Sequence, residues 1–183
     1  MDGFIKDSIK DKLTGHVKDK IAEKLGTNKN DTDNAIDKGL YAILGGLAQN
    51  TKNDRRAQDL DDAIKKDHDG SVFNNLGDLL SDGRLSTEGG KILGHVFGSK
   101  KDKVVDEMSK ETELDGNKSG GLLDMLAPIV LGQLGKEKGV NAGSLNDMFS
   151  NEKTGDIMSK VMDFLDKDDD GSVVDDIAGI FKK

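Results

Sequence analysis

Ile5, Ile9, Leu13, Val17, Ile21 and Leu25 recur at every fourth position, with charged residues between them. That spacing predicts amphipathic helix rather than strand, because residues three and four apart share one face of a 3.6-residue turn. The stripes in "AIDKGLYAILGGLAQ" (35–49) and "LLDMLAPIVLGQL" (122–134) are denser and predict helices buried on most sides. No run of alternating β-branched residues accompanies them, so sheet is not expected. Helix stops are read at Gly26 and Gly98 and starts at Ser71, Ser86 and Ser172. Gly45 and Gly46 would each cost about 1 kcal/mol inside a helix, which close packing of a second helix would offset. Pro128 is expected to kink its helix or to begin a new one. The pattern as a whole predicts an all-α array of about nine or ten short helices.

The pattern also recurs. A shift of 87 residues brings Val17 onto Val104, Ile21 onto Met108, Ile36 onto Leu123, Asp37 onto Asp124, Gly45 onto Gly132 and Leu47 onto Leu134. A shift of 101 brings "DGSV" at 69–72 onto "DGSV" at 170–173, with Ile64 on Leu165 and Leu80 on Phe181. The difference of 14 places an insertion in the second copy, in the region of "KGVNAGSLNDMFSNEKTG". Two divergent repeat units are therefore expected at 17–80 and 104–181, preceded by an N-terminal amphipathic helix at 1–16 and joined by a connecting segment at 81–103. They would form one compact domain or two closely packed halves.

Composition narrows the chemistry. With no tryptophan and one tyrosine, the core must be aliphatic. Lysine and arginine number 27 against 35 acids, a net charge of −8, so a nucleic-acid footprint is not expected. The absence of cysteine excludes disulfides, thiolate metal sites and cysteine nucleophiles. Acids among the first residues argue against a signal peptide, and the longest apolar run is too short for a membrane span, which needs about 20 residues. These features read as a soluble, acidic, cytoplasmic protein. The lysines of the N-terminal helix are nearly balanced by its acids, so it should pack on the body or on another subunit rather than on a membrane.

One segment points to a ligand. In "FLDKDDDGSVVDDIAGIF" (164–181), Asp166, Asp168 and Asp170 stand at positions 1, 3 and 5 of a helix–loop–helix calcium hand. Gly171 occupies the turn at 6, and Ser172 at 7 would offer its backbone carbonyl. Position 12 is Ile177 instead of a bidentate glutamate, so Asp176, or else Asp175, must close the loop, or water fills the corner. Ca2+ is the cofactor this spacing suggests. The first copy, "AIKKDHDGSVFNNL" (63–76), keeps only Asp67 and Asp69 as weaker candidates, and Lys65 takes the place of the first ligand. The competing reading makes both loops capped turns, with Asp-Gly turning the chain and the serine capping the next helix. Capping, however, does not require Asp166 and Asp168.

Little else suggests chemistry. His16 and His95 lie beside apolar stripes, where a helix-side or core-edge place is expected, and His68 should be solvated within the first loop. No metalloprotease, phosphate-loop or serine-hydrolase motif is present, so no enzyme is expected.

"ILGHVFGSKKDKVVDEMSK", "GGLLDMLAPIVLGQLGKEKG" and "FLDKDDDGSVVDDIAGIF" together resemble the YidB-like family of bacterial proteins of unknown function, with the last segment similar to an EF-hand or dockerin loop. The resemblance covers most of 37–181 and implies an all-α bacterial protein, with no established activity or catalytic residues. Lys65 departs from the acidic pattern in the first loop. The expected function is a non-enzymatic binding or scaffold protein with one calcium-binding loop. Its partner would be an unknown protein or a second copy of itself. The alternative is a self-associating structural protein whose acidic loops bind no metal.

Overall fold

The computed structural model describes residues 4–137, and all regular structure there is helical. Eight α-helices follow in order: α1 (Phe4–Lys12), α2 (Gly15–Leu25), α3 (Lys29–Thr51), α4 (Asp54–Asp67), α5 (Leu76–Ser81), α6 (Arg84–Phe97), α7 (Lys101–Glu111) and α8 (Gly116–Lys136). Two 3-10 turns, at Ser71–Asn74 and Gly98–Lys100, complete the set. The all-α expectation is met among the described residues, but not all of their eight α-helices are short. Helices α3 and α8 are 23 and 21 residues long, because glycines inside them serve close packing instead of ending them.

The fold is organised around α8. Every residue from Leu122 to Leu134 except Asp124 is buried, and α1, α2, α3, α4, α6 and α7 all pack against this one helix. A helix apolar on most sides can be stable only in such a central position. Pro128 neither ends α8 nor begins a new helix. It does leave the carbonyl of Asp124 without its helical N–H, since proline has none to donate. Helix α6 crosses at that point. A Cβ on Gly89 would collide with the Asp124 carbonyl oxygen, so only glycine allows the two backbones to approach this closely. Gly46 serves similarly where α3 meets α6, facing Val96 and the Phe97 ring, which is the offset expected for a mid-helix glycine.

The N-terminal stripe is split. Ile5, Ile9 and Leu13 are at most 2 % exposed, and α1 packs on α8, so this segment docks on the body as expected. The chain then breaks at Thr14 before α2. Residues four apart drift by about 40° per step around a helix, so a stripe of six such residues cannot face one core along a straight helix. The break resets the phase. Gly26 (φ 59°) ends α2 in the left-handed region, as expected. Helix α6 starts two residues earlier than the reading at Ser86, because Asp82 Oδ1 accepts the Arg84 N–H at 3.0 Å and Gly83 takes φ 80°.

Some helix bounds coincide under the 87-residue shift. It carries Lys29, the first residue of α3, onto Gly116, the first of α8. It also carries the cap Asn28, whose side chain accepts the Asp31 N–H at 2.9 Å, onto the cap Asp115, which accepts the Lys118 N–H at 3.0 Å. Helix α2 falls within one residue of α7, and buried Ile5 and Ile9 of α1 fall on buried Ile92 and Val96 of α6. No described helix is long and apolar enough to cross a membrane.

Candidate functional site

The first acidic loop is the one candidate feature within the described residues. Helix α4 reaches it by burying Ala57, Asp61 and Ile64 at helical spacing while Lys65, Lys66 and Asp67 stay exposed. The helix ends at His68, whose N–H still reaches the Ile64 carbonyl at 3.2 Å. The reversal follows at Gly70 (φ 85°, ψ 6°), a left-handed conformation that glycine adopts without steric cost. The 3-10 turn Ser71–Asn74 and helix α5 come next.

Two glycines of α8 seat this loop. A Cβ on Gly132 would come within 2.5 Å of Val72 Cγ1, and one on Gly135 would overlap the His68 carbonyl oxygen. On the other side the Lys136 stem lies over Gly70, and its Nζ sits 5.0 Å from the centre of the Phe73 ring. The loop is therefore fixed on the C-terminal half of α8, although nothing in its own sequence indicates where it packs.

Its charged residues do different things. Lys65, in the place of the first hand ligand, turns back to Asp61 at 2.7 Å, so its ammonium group is engaged within α4. Asp69 Oδ1 accepts the Ser71 N–H at 2.9 Å, and the backbone and hydroxyl of Ser71 hold that carboxyl below its usual pKa. Asp67 is exposed at the end of α4. No three carboxylate or histidine groups converge as a metal site among the described residues. Asp69 thus acts as the cap of a turn, with Asp67 apart from it. Asp166, Asp168, Asp170, Ser172, Asp175 and Asp176 lie outside the described residues.

His68 departs from expectation. Its side chain is only 10 % exposed, in a loop whose backbone lies against α8. Its Nδ1 stands 3.8 Å from Glu88 Oε1, an ion pair only when the ring is protonated. Together with Asp67, Val72, Leu79 and Pro128, these residues line a cleft of about 290 Å³. Sequence reading missed it, since Glu88 and Pro128 are remote from the loop along the chain. His16 and His95 are exposed on their helices.

Residues 7–137 match the family model described as a bacterial protein of unknown function, DUF937. No curated protein and no solved structure matches the chain.

Proposed function

We propose that this chain, which belongs to the bacterial family of unknown function DUF937, is a non-enzymatic binding or scaffold protein with one calcium-binding loop at 166–176. In its finer form the assignment is to a YidB-like member with an EF-hand-like second loop. The ligands would be the carboxylates of Asp166, Asp168 and Asp170 and the carbonyl of Ser172, with Asp176, or Asp175 beside it, closing the set. The ion would stiffen the join between the flanking segments, and the surface so held would meet a protein partner or a second copy.

The observation that carries this reading is the conformation of the sister loop. The same four residues, Asp69-Gly70-Ser71-Val72, link two helices, with Gly70 left-handed at the position where the hand needs its sharp turn. The first copy lacks the charge for a cation because Lys65 stands where the second copy has Asp166. For the two units at 17–80 and 104–181, the supporting observation is that α3 and α8 start 87 residues apart behind the caps Asn28 and Asp115.

A second reading rests on the Asp69–Ser71 bond. A loop that uses its aspartate as a cap needs no ion, and two capped turns on a duplicated framework would suit a self-associating structural protein. Calcium titration calorimetry on metal-stripped full-length protein, with magnesium as control and Asp166→Ala alongside, separates the two. Heat near one equivalent that disappears in the variant supports the calcium loop. No heat up to millimolar calcium, with concentration-dependent sedimentation, supports the self-associating protein.

A further inference from the structure

We infer that the face of α3 around Gly45 is the docking site of the second acidic loop, so that each "DGSV" loop rests on the long helix of the other unit. This seat rests on the two-unit reading proposed above and does not depend on calcium. The first loop supplies the template. A Cβ on Gly132 of α8 would come within 2.5 Å of Val72 Cγ1 and 3.7 Å of the Gly70 Cα, so the turn lies against bare helix backbone. That loop belongs to the first unit, and α8 belongs to the second.

Moving the seat back by 87 residues turns Gly132 into Gly45, and moving the loop on by 101 turns Val72 into Val173 and Gly70 into Gly171. Glycine and valine are thus kept at both ends of the contact. Gly45 is buried within α3. It stands about 100° around the helix from Gly46, the residue that faces Val96 and Phe97 of α6. Gly45 therefore addresses a different face from the one α6 covers.

The described helices already pack reciprocally. Helix α2 packs on both α3 and α8, and its counterpart α7 packs on both as well. Helix α1 packs on α8, and α6, which carries its counterparts Ile92 and Val96, packs on α3. Helix α6 adds a contact with α8 at Gly89. What the first unit lays on α8 the second lays on α3, and the first loop lies on α8. The chain leaves the described residues at Glu137, and at up to about 3.5 Å per residue it reaches α3 well before Gly171. One position breaks the match. Gly135, against which the His68 carbonyl packs, becomes Ala48. Its methyl group holds the Asp169 backbone farther off, so Val173 makes the closer contact. A loop seated there ties any ion bound at 166–176 to α3.

The test is nuclear Overhauser spectroscopy of methyl-labelled natural full-length protein in calcium-free buffer. Contacts between the Val72 methyls and the Gly132 Hα serve as the internal reference, and matching contacts between the Val173 methyls and the Gly45 Hα are the expected result. Urea unfolding gives a second readout. Gly45→Ala should lower the midpoint, and the Gly45→Ala, Val173→Ala double variant should lose less than about half the sum of the two single losses. Val72→Ala should instead add fully to Gly45→Ala. Missing Val173–Gly45 contacts beside clear Val72–Gly132 contacts overturn the inference, and so does additivity of Gly45→Ala with Val173→Ala. Contacts that arise only between differently labelled copies assign the seat to a second copy and overturn it too. A flat calcium titration leaves these contacts in place, and their absence leaves the calcium titration untouched, so the two readings fail separately.

Discussion

Gly89 of α6 lies against the backbone carbonyl of Asp124, the carbonyl that Pro128 leaves without a helical donor. Sequence-remote glycine and proline thus act as a pair. The proline exposes an acceptor in the middle of the central helix, and the glycine lets a second backbone cover it. The Asp124 side chain turns to Lys101 of α7 at 2.8 Å, so three helices meet around one residue.

Gly89→Ala should therefore destabilise the protein by about 3 kcal/mol or more, the upper end of the usual cost of overpacking. Gly94→Ala, on the same helix with nothing within 4 Å of a new Cβ, should be neutral or stabilising by up to about 1 kcal/mol. Urea unfolding of the two variants checks this. Equal effects would contradict the close α6–α8 contact.

Asn28→Ala and Asp115→Ala should each cost about 1 kcal/mol, since each removes the side chain that accepts the third helical N–H of α3 or α8. Similar losses in urea unfolding would fit the equivalence of the two caps. A change in one variant alone would count against it.

Asp69 and Asp82 should titrate below an ordinary aspartate, each held down first by a backbone N–H, from Ser71 and Arg84 respectively. A carboxyl whose folded pKa is depressed adds stability above its unfolded pKa, and that contribution fades as pH falls through the folded value. Asp82→Asn keeps a cap oxygen but loses the charge, so it should flatten the acid limb of the stability curve. Carboxyl carbon NMR and unfolding against pH report the two effects. A normal Asp82 titration would contradict the Asp82–Arg84 bond.

Lys6 Nζ donates to Tyr41 Oη at 2.7 Å and lies 4.3 Å from the centre of the same ring. Burial, the largest single influence, pushes the Lys6 pKa down, but the Tyr41 bond together with the charges of Asp37 and Asp7 makes the net shift upward. Its stabilisation is thus fully present below the unfolded pKa and is lost as pH rises through the folded one. Tyr41→Phe keeps the ring and removes the hydroxyl, so it should lower the Lys6 pKa and cost about 1 kcal/mol. An unchanged Lys6 side-chain titration would contradict the bond.

Much of the fold could be read from the chain because apolar spacing is a local signal. The continuous apolar length of 122–134 marked α8 as buried, and Gly26 marked the end of α2. Phase drift hid the break at Thr14, since a regular four-residue spacing looks unbroken in one dimension. The start of α6 was hidden because its cap is an Asp82 bond with a left-handed Gly83, not the more obvious serine. Most of the cleft stayed out of sight for a different reason. His68 is adjacent to polar residues in sequence, and only docking of the loop on Gly132 and Gly135 buries it. The ligands proposed for calcium at 166–176 are a matter of sequence spacing, and these residues lie outside the described ones.

The measurement that tests the central claim most directly is the melting temperature of metal-stripped full-length protein against calcium concentration. It should be made for the natural sequence, Asp166→Ala and Asp69→Ala. The account predicts that calcium raises the first and third and leaves Asp166→Ala unmoved, with a gain of about 2.7 kcal/mol at a hundredfold excess over Kd. A melting temperature indifferent to calcium in the natural sequence, or raised equally in Asp166→Ala, would contradict it.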